Sequence, residues 1–171
     1  MDFKAILEER HSKETTNTIV NEVGNSANKF AKLMFTFKEG PAVITQRAAW
    51  PLSYIGQNHP ELLTPYYPLF INLLKQENKH NAINRNVLRA LQNAQIPEDY
   101  QGAILDICFQ LLNSPKEPIA VKIFSMSLIE NLAKLYPEII PELKMSIEAL
   151  LPNSSAGVKS RGNKILRILK K

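Results

Sequence analysis

Apolar residues recur at intervals of three and four almost everywhere in this chain, the spacing that puts one buried stripe on a helix, and strand-like alternation is hard to find. Phe3, Ile6 and Leu7 predict a short helix over about residues 2–9. Ser12 can cap a second helix that stops at Val23-Gly24. Its apolar residues, Ile19, Val20 and Val23, are few, which predicts a less well packed N-terminal end. A third helix follows Asn25-Ser26 and carries Phe30, Leu33, Met34 and Phe37. Beyond the turn at Lys38 to Pro41, a fourth presents Val43, Ile44, Ala48, Leu52 and Ile55 on one face. Pro51 removes a backbone donor inside it, so the helix either kinks there or splits at Trp50-Pro51. The next helix opens at Pro60-Glu61, with Pro65 and Pro68 in its first turns and Leu69, Phe70, Leu73 and Leu74 inward. Ile83, Val87, Leu88, Ala90, Leu91 and Ala94 mark another. The stretch from Pro97 to Leu132 reads as helix, polar turn at Asn113 to Pro118, and helix. A ninth helix starts at Pro137-Glu138 and a tenth at about Ala156.

Three marks repeat in one frame. Pro-Glu occurs at Pro60, Pro97 and Pro137, 37 and 40 residues apart. Leucine pairs occur at Leu73-Leu74, Leu111-Leu112 and Leu150-Leu151, 38 and 39 apart. A base near the start of every second helix occurs at Arg47, Arg85, Lys122 and Arg161, 38, 37 and 39 apart. Proline suits the first helical position, where its missing N–H would be unpaired anyway, and glutamate beside it complements the helix dipole. The leucine pairs should bury against neighbouring hairpins. One helical hairpin cannot cover its own apolar faces, so such units stack and share a core.

A period of about 38 residues with two helices per unit resembles HEAT-like, or armadillo-like, repeats. The likeness rests on the Pro-Glu starts, the leucine pairs and the Ile55-Gly56 stop, and covers roughly residues 12–170. It implies an all-α fold: a right-handed α-α superhelix (solenoid) of about five helical hairpins. One domain over 1–171 is expected, with an N-terminal cap over about 1–24 and repeats over about 25–59, 60–96, 97–136 and 137–171. HEAT repeats commonly pair a turn aspartate with a base of the next helix. The turns here offer Asn78, Asn113 and Asn153 instead, so that ladder is expected to be absent or altered.

Charge narrows the candidates. The net value is +5, and residues 121–171 supply the excess with nine bases and four acids; the rest is nearly balanced. A nucleic-acid partner usually needs basic surface spread along its path. The basic C-terminal helix suits an acidic partner, nucleic acid or an anionic membrane, and equally a polar cap on the last repeat. The single cysteine, Cys108, lies in an apolar run and reads as a buried small side chain. His11, His59 and His80 are far apart and share no metal-ligand spacing. No Gly-x-Ser-x-Gly elbow or phosphate loop is present. Ser154 to Lys159 faintly resembles the serine-rich loop of fumarase-type lyases, but in the repeat frame it is a turn. No catalytic residue, metal or cofactor is therefore assigned. No run reaches the roughly 18 apolar residues of a membrane span, and the N-terminus lacks a signal-peptide core, so a cytoplasmic location is expected.

The binding candidates are Arg47, Trp50, Tyr54, Arg85, Arg89, Lys122, Arg161 and Lys164. The bases could line a concave face and meet an acidic protein or a phosphate backbone; they could equally hold helix starts and turns. Trp50 and Tyr54, four apart, could form an aromatic shelf that grips a peptide or stacks a base, while core packing is the plainer role for Trp50. Tyr66 and Tyr67 are adjacent, so at least one should face water. The leading expectation is a non-enzymatic scaffold that binds a protein or peptide, an acidic one among the candidates. The alternative is a nucleic-acid-binding HEAT-like protein. Some HEAT-like proteins are glycosylases of alkylated DNA, and they are expected to place an aspartate and aromatic residues in a basic cleft.

Overall fold

The structure is a computed structural model and describes residues 1–76 and 82–169. His80, Asn78, Lys170 and Lys171 lie outside the described residues. Eleven α-helices and no strand occur among those described. None is long and apolar enough to cross a membrane. The chain divides into two compact units, Met1–Pro97 and Glu98–Lys171.

The first unit contains α1 (Phe3–Glu9), α2 (Lys13–Val23), α3 (Ala27–Glu39), α4 (Ala42–Asn58), α5 (Pro60–Leu63), α6 (Tyr67–Lys75) and α7 (Ala82–Leu91). The expected cap at Ser12 and stop at Gly24 hold, and Asp2, expected inside the first helix, caps it instead. Asp2, Ser12 and Ser26 accept backbone N–H bonds from the first turns of α1, α2 and α3, satisfying donors that have no partner within the helix. Gly24, at φ 51°, ends α2 in a backbone conformation that a side chain would strain.

Helix α4 is the hub of this unit. It packs on α1, α2, α3, α5 and α7, while α6 packs on α7. It continues unbroken through the buried Pro51, so it does not split at Trp50-Pro51. Pro51 packs where its ring contributes to the core, and one absent N–H does not end a helix held on several sides. Val43 is 55% exposed, outside the buried face of Ile44, Ala48, Leu52 and Ile55. Gly56 marks a close approach, because a Cβ there would collide with Leu63.

Two expectations fail here for identifiable reasons. The N-terminal end is well packed: Phe3, Leu7, Ile19 and Val23 are all buried. They are few, but α4 and α3 cover them. The helix that opens at Pro60 is also not continuous. α5 gives way to a 3-10 turn at Thr64–Tyr66 before α6 begins. Pro65 and Pro68 remove donors that an uninterrupted α-helix would need. Tyr67 is fully buried, with its hydroxyl donating to the Gln95 carbonyl at 3.4 Å, and burial pushes the phenol well above its usual range. Tyr66 is half-buried, its ring edge-on to Phe30 at 5.6 Å.

The second unit contains α8 (Glu98–Asn113), α9 (Ile119–Ala133), α10 (Ile140–Leu150) and α11 (Ala156–Ile168). α9 packs on α8, α10 and α11. Accordingly it is apolar around much of its circumference and buries Val121, Met126, Leu128, Ile129 and Leu132. Pro137 starts a 3-10 turn, Pro137–Ile139, ahead of α10. Of the leucine pairs, Leu111 and Leu112 are both buried, Leu74 is buried beside a half-buried Leu73, and Leu150 and Leu151 are both half-buried. They straddle the change from α10 to the 3-10 turn Leu151–Asn153, which turns both partly outward. Cys108 is fully buried, and burial pushes its thiol up to about 12. Ser155 caps α11 by accepting from the Val158 N–H, so the serine-rich stretch is a helix start.

Candidate functional site

The recurring bases have a shared structural use. Arg47 on α4 donates from Nη1 to the Leu7 carbonyl at 2.6 Å and the Glu8 carbonyl at 3.1 Å. These are terminal carbonyls of α1, which have no partner within their own helix. Arg85 on α7 donates from Nη2 to Gln46 Oε1 on α4 at 2.9 Å. Lys122 on α9 donates to the Leu112 and Ser114 carbonyls at 3.0 and 2.6 Å, closing the end of α8. Burial lowers its pKa, with Glu117 acting in the opposite sense. Arg161 on α11 donates from Nε to Ser127 Oγ at 3.1 Å and from Nη2 to Glu130 Oε2 at 2.5 Å, both on α9. The base–aspartate ladder common in HEAT repeats is altered here, as the asparagine turns led one to expect. Carbonyls, a glutamine and a glutamate receive the bases in place of turn aspartates. Lys164 is exposed on α11.

In the first unit, five of the eight binding candidates fall together on α4 and α7. Trp50 is half-buried rather than enclosed in the core. The Arg89 guanidinium lies over its ring, 5.0 Å from the centroid. His11, in the link between α1 and α2, lies against the same ring at 5.1 Å with the planes inclined at 54°. Tyr54 is exposed one turn along α4, and Arg85 sits one turn before Arg89 on α7. The helical spacing i, i+4 explains both alignments.

Arg89 has its pKa lowered chiefly by burial; Tyr54 opposes the shift and Arg85 adds to it. The His11 pKa is lowered from 6.5 by burial, then by Arg47 and Arg89. Neither α4 nor α7 contains an acidic residue. Neither Arg47 nor Arg85 forms a salt bridge among the described residues. Arg85 Nε is buried without a hydrogen-bond partner among them. Arg89 and His11 thus gather on one tryptophan, with Arg47, Arg85 and Tyr54 on the same two helices. His11 is the member that sequence spacing missed. It is remote in the chain and reaches Trp50 only because α1 packs on α4.

His59 pairs with Glu61 at 3.3 Å, away from this group. No cluster able to hold a metal ion occurs among the described residues. Beside α7, an apolar cavity of about 350 Å³ is lined by Phe37, Thr45, Leu73, Ile83 and Val87, among others.

Bases on second helices tie them to the preceding hairpin at Arg47, Arg85 and Arg161 and close a hairpin at Lys122. The chain belongs to the HEAT repeat family: the model for the HEAT repeat domain matches residues 3–169. Among solved structures, the chain is similar to the crystal structure of an engineered protein. That similarity has 16% identity and a TM-score of 0.58, and spans 98% of this chain and 79% of the other. It shows the all-α solenoid fold. No curated protein matches the sequence.

Proposed function

We propose that the protein is an interaction module that binds a protein or peptide on the exposed face of α4 and α7. The observation that carries this reading is the Arg89–Trp50–His11 group with Tyr54 and Arg85 beside it. Half-buried tryptophan, tyrosine and arginine are the residue types that concentrate binding energy at protein interfaces. A rigid pair of packed helices presents them with little ordering cost on binding. Arg47, Lys122 and Arg161 serve mainly to tie helices, so the binding role concentrates on Trp50, Tyr54, Arg85 and Arg89. The aspartate expected of a glycosylase cleft has no counterpart on either helix of this face.

A photo-crosslinking residue in place of Tyr54, introduced in the native host, tests the reading. The expected adducts are protein, and R89Q should abolish them. Adducts removed by nuclease digestion, together with duplex-DNA binding that weakens steeply with salt, would sink it.

A further inference from the structure

The cavity beside α7 is lined from α3, α4, α6 and α7 and shares no residue with the Trp50 group. We infer that it is a binding site for a small uncharged molecule. The ligand has a two-ring apolar body and one amide or lactam head, and the head pairs with Asn86. This site is additional to the protein-binding face and does not depend on it.

Asn86 on α7 carries the inference. It lines the cavity and is 2% exposed. Its side-chain amide forms no hydrogen bond with any described residue. Unlike Arg85 Nε, neither amide atom is cut off from solvent. An amide has one acceptor oxygen and two donor hydrogens to satisfy. Left without partners in a core, it bears the full cost of its lost hydration. Asparagine is usually exposed for that reason. A ligand head that supplies both an acceptor and a donor removes the cost.

The other polar groups at the cavity are already engaged. Thr45 Oγ1 donates to the Gly40 carbonyl at 3.1 Å. Lys38 Nζ pairs with Glu39 at 3.0 Å, and both side chains are about half exposed. The cavity therefore offers no uncompensated charge. A carboxylate would lose its hydration there with no cation to replace it, so a neutral ligand is selected. Phe37, Leu73, Ile83 and Val87 supply apolar walls. A cavity of about 150 Å³ with walls of this kind holds benzene. The volume here is about 350 Å³, room for two fused rings and a small head. A lactam presents its N–H and C=O side by side, which matches the asparagine amide with one hydrogen bond in each direction.

The test uses the full chain, labelled with nitrogen-15, and three probes of one shape. 2-Quinolone carries the lactam, quinoline only a ring acceptor, and quinoline-2-carboxylate a charge. NMR titration follows the Asn86 side-chain NH2 and the backbone amides of residues 83–87. Saturable shifts at these positions are expected with 2-quinolone. Quinoline should bind about tenfold more weakly, having lost hydrogen bonds to a buried group, and the carboxylate should not bind. N86L keeps the branched shape and removes the amide, so the two neutral probes should bind it equally. Its melting temperature should equal or exceed the parent's, because an unpartnered amide is gone. I83F narrows the cavity and should abolish binding of both neutral probes. Far-UV circular dichroism verifies that each variant is folded.

2-Quinolone binding no tighter than quinoline overturns the inference, as does a preference for 2-quinolone that survives in N86L. Binding that ignores I83F in folded protein does the same. Shifts confined to His11 and Trp50 would put the ligand elsewhere and sink it. If no probe shifts any resonance up to its solubility limit, the cavity holds only water and the inference falls.

Discussion

The guanidinium of Arg89 lies 5.0 Å from the centroid of the Trp50 ring, joining α7 to α4 across a half-buried surface. Such contacts contribute about 0.5–2 kcal/mol, more as water is excluded. Trp50→Leu should therefore lower stability by about 1–3 kcal/mol, combining that contact with lost packing area. R89Q should cost less than Trp50→Leu, because the tryptophan stays. Urea unfolding measures both. A Trp50→Leu midpoint equal to the parent's would show that the ring supports nothing.

Arg47 anchors the end of α1 rather than a ligand. R47M removes both bonds to the Leu7 and Glu8 carbonyls and should cost about 1–3 kcal/mol. The loss should be local first, with faster amide exchange over Phe3–Glu9 than in the rest of the chain. Unchanged protection there would argue that water replaces the arginine without penalty.

His11 should titrate below the ordinary 6.5, because burial and the charges of Arg47 and Arg89 disfavour its protonated form. The folded chain then binds fewer protons than the unfolded chain just below that value. The corresponding stability is fully present above about pH 6.5, the unfolded value, and is lost as pH falls through the depressed folded pKa. NMR titration of the ring protons checks the shift. R89Q should move it back toward 6.5, and a titration identical in both proteins would contradict the assigned neighbours.

Glu130 and Arg161 tie α9 to α11 with side chains only 10% and 23% exposed. E130A leaves the guanidinium with Ser127 alone and should destabilise by about 2–4 kcal/mol. The double variant E130A/R161M should cost less than the two single changes together, since it leaves neither charge stranded. Strict additivity of the three values would mean that the pair is not coupled.

Gly56→Ala places a methyl group against Leu63 at the junction of α4 and α5. Overpacking of this kind costs about 1–3 kcal/mol, so a lowered melting temperature is expected. A melting temperature equal to the parent's would show that Leu63 yields freely.

Much of the fold and part of the site were legible in the chain. Ser12, Ser26 and Gly24 mark helix ends by local chemistry, and they do so in the structure. The i, i+4 pairs Trp50/Tyr54 and Arg85/Arg89 share faces for the same local reason. His11 was not legible, because the link between α1 and α2 meets Trp50 only after α1 docks on α4. Nor was the good packing of the N-terminal end, since four apolar residues suffice only when larger helices cover them.

The sequence by itself determined the all-α class, the repeat period and the residues that punctuate each hairpin, because helix caps, prolines and apolar spacing act within a few residues. Tertiary structure decided what the recurring bases do. Arg47, Lys122 and Arg161 lie in the same frame as Arg85, yet each meets different acceptors: carbonyls of α1, carbonyls closing α8, and Ser127 with Glu130. Arg85 instead meets Gln46, within the patch that Trp50 and Arg89 organise. Spacing along a chain sets which face a base occupies; the neighbouring helix decides whether its donors are already spent.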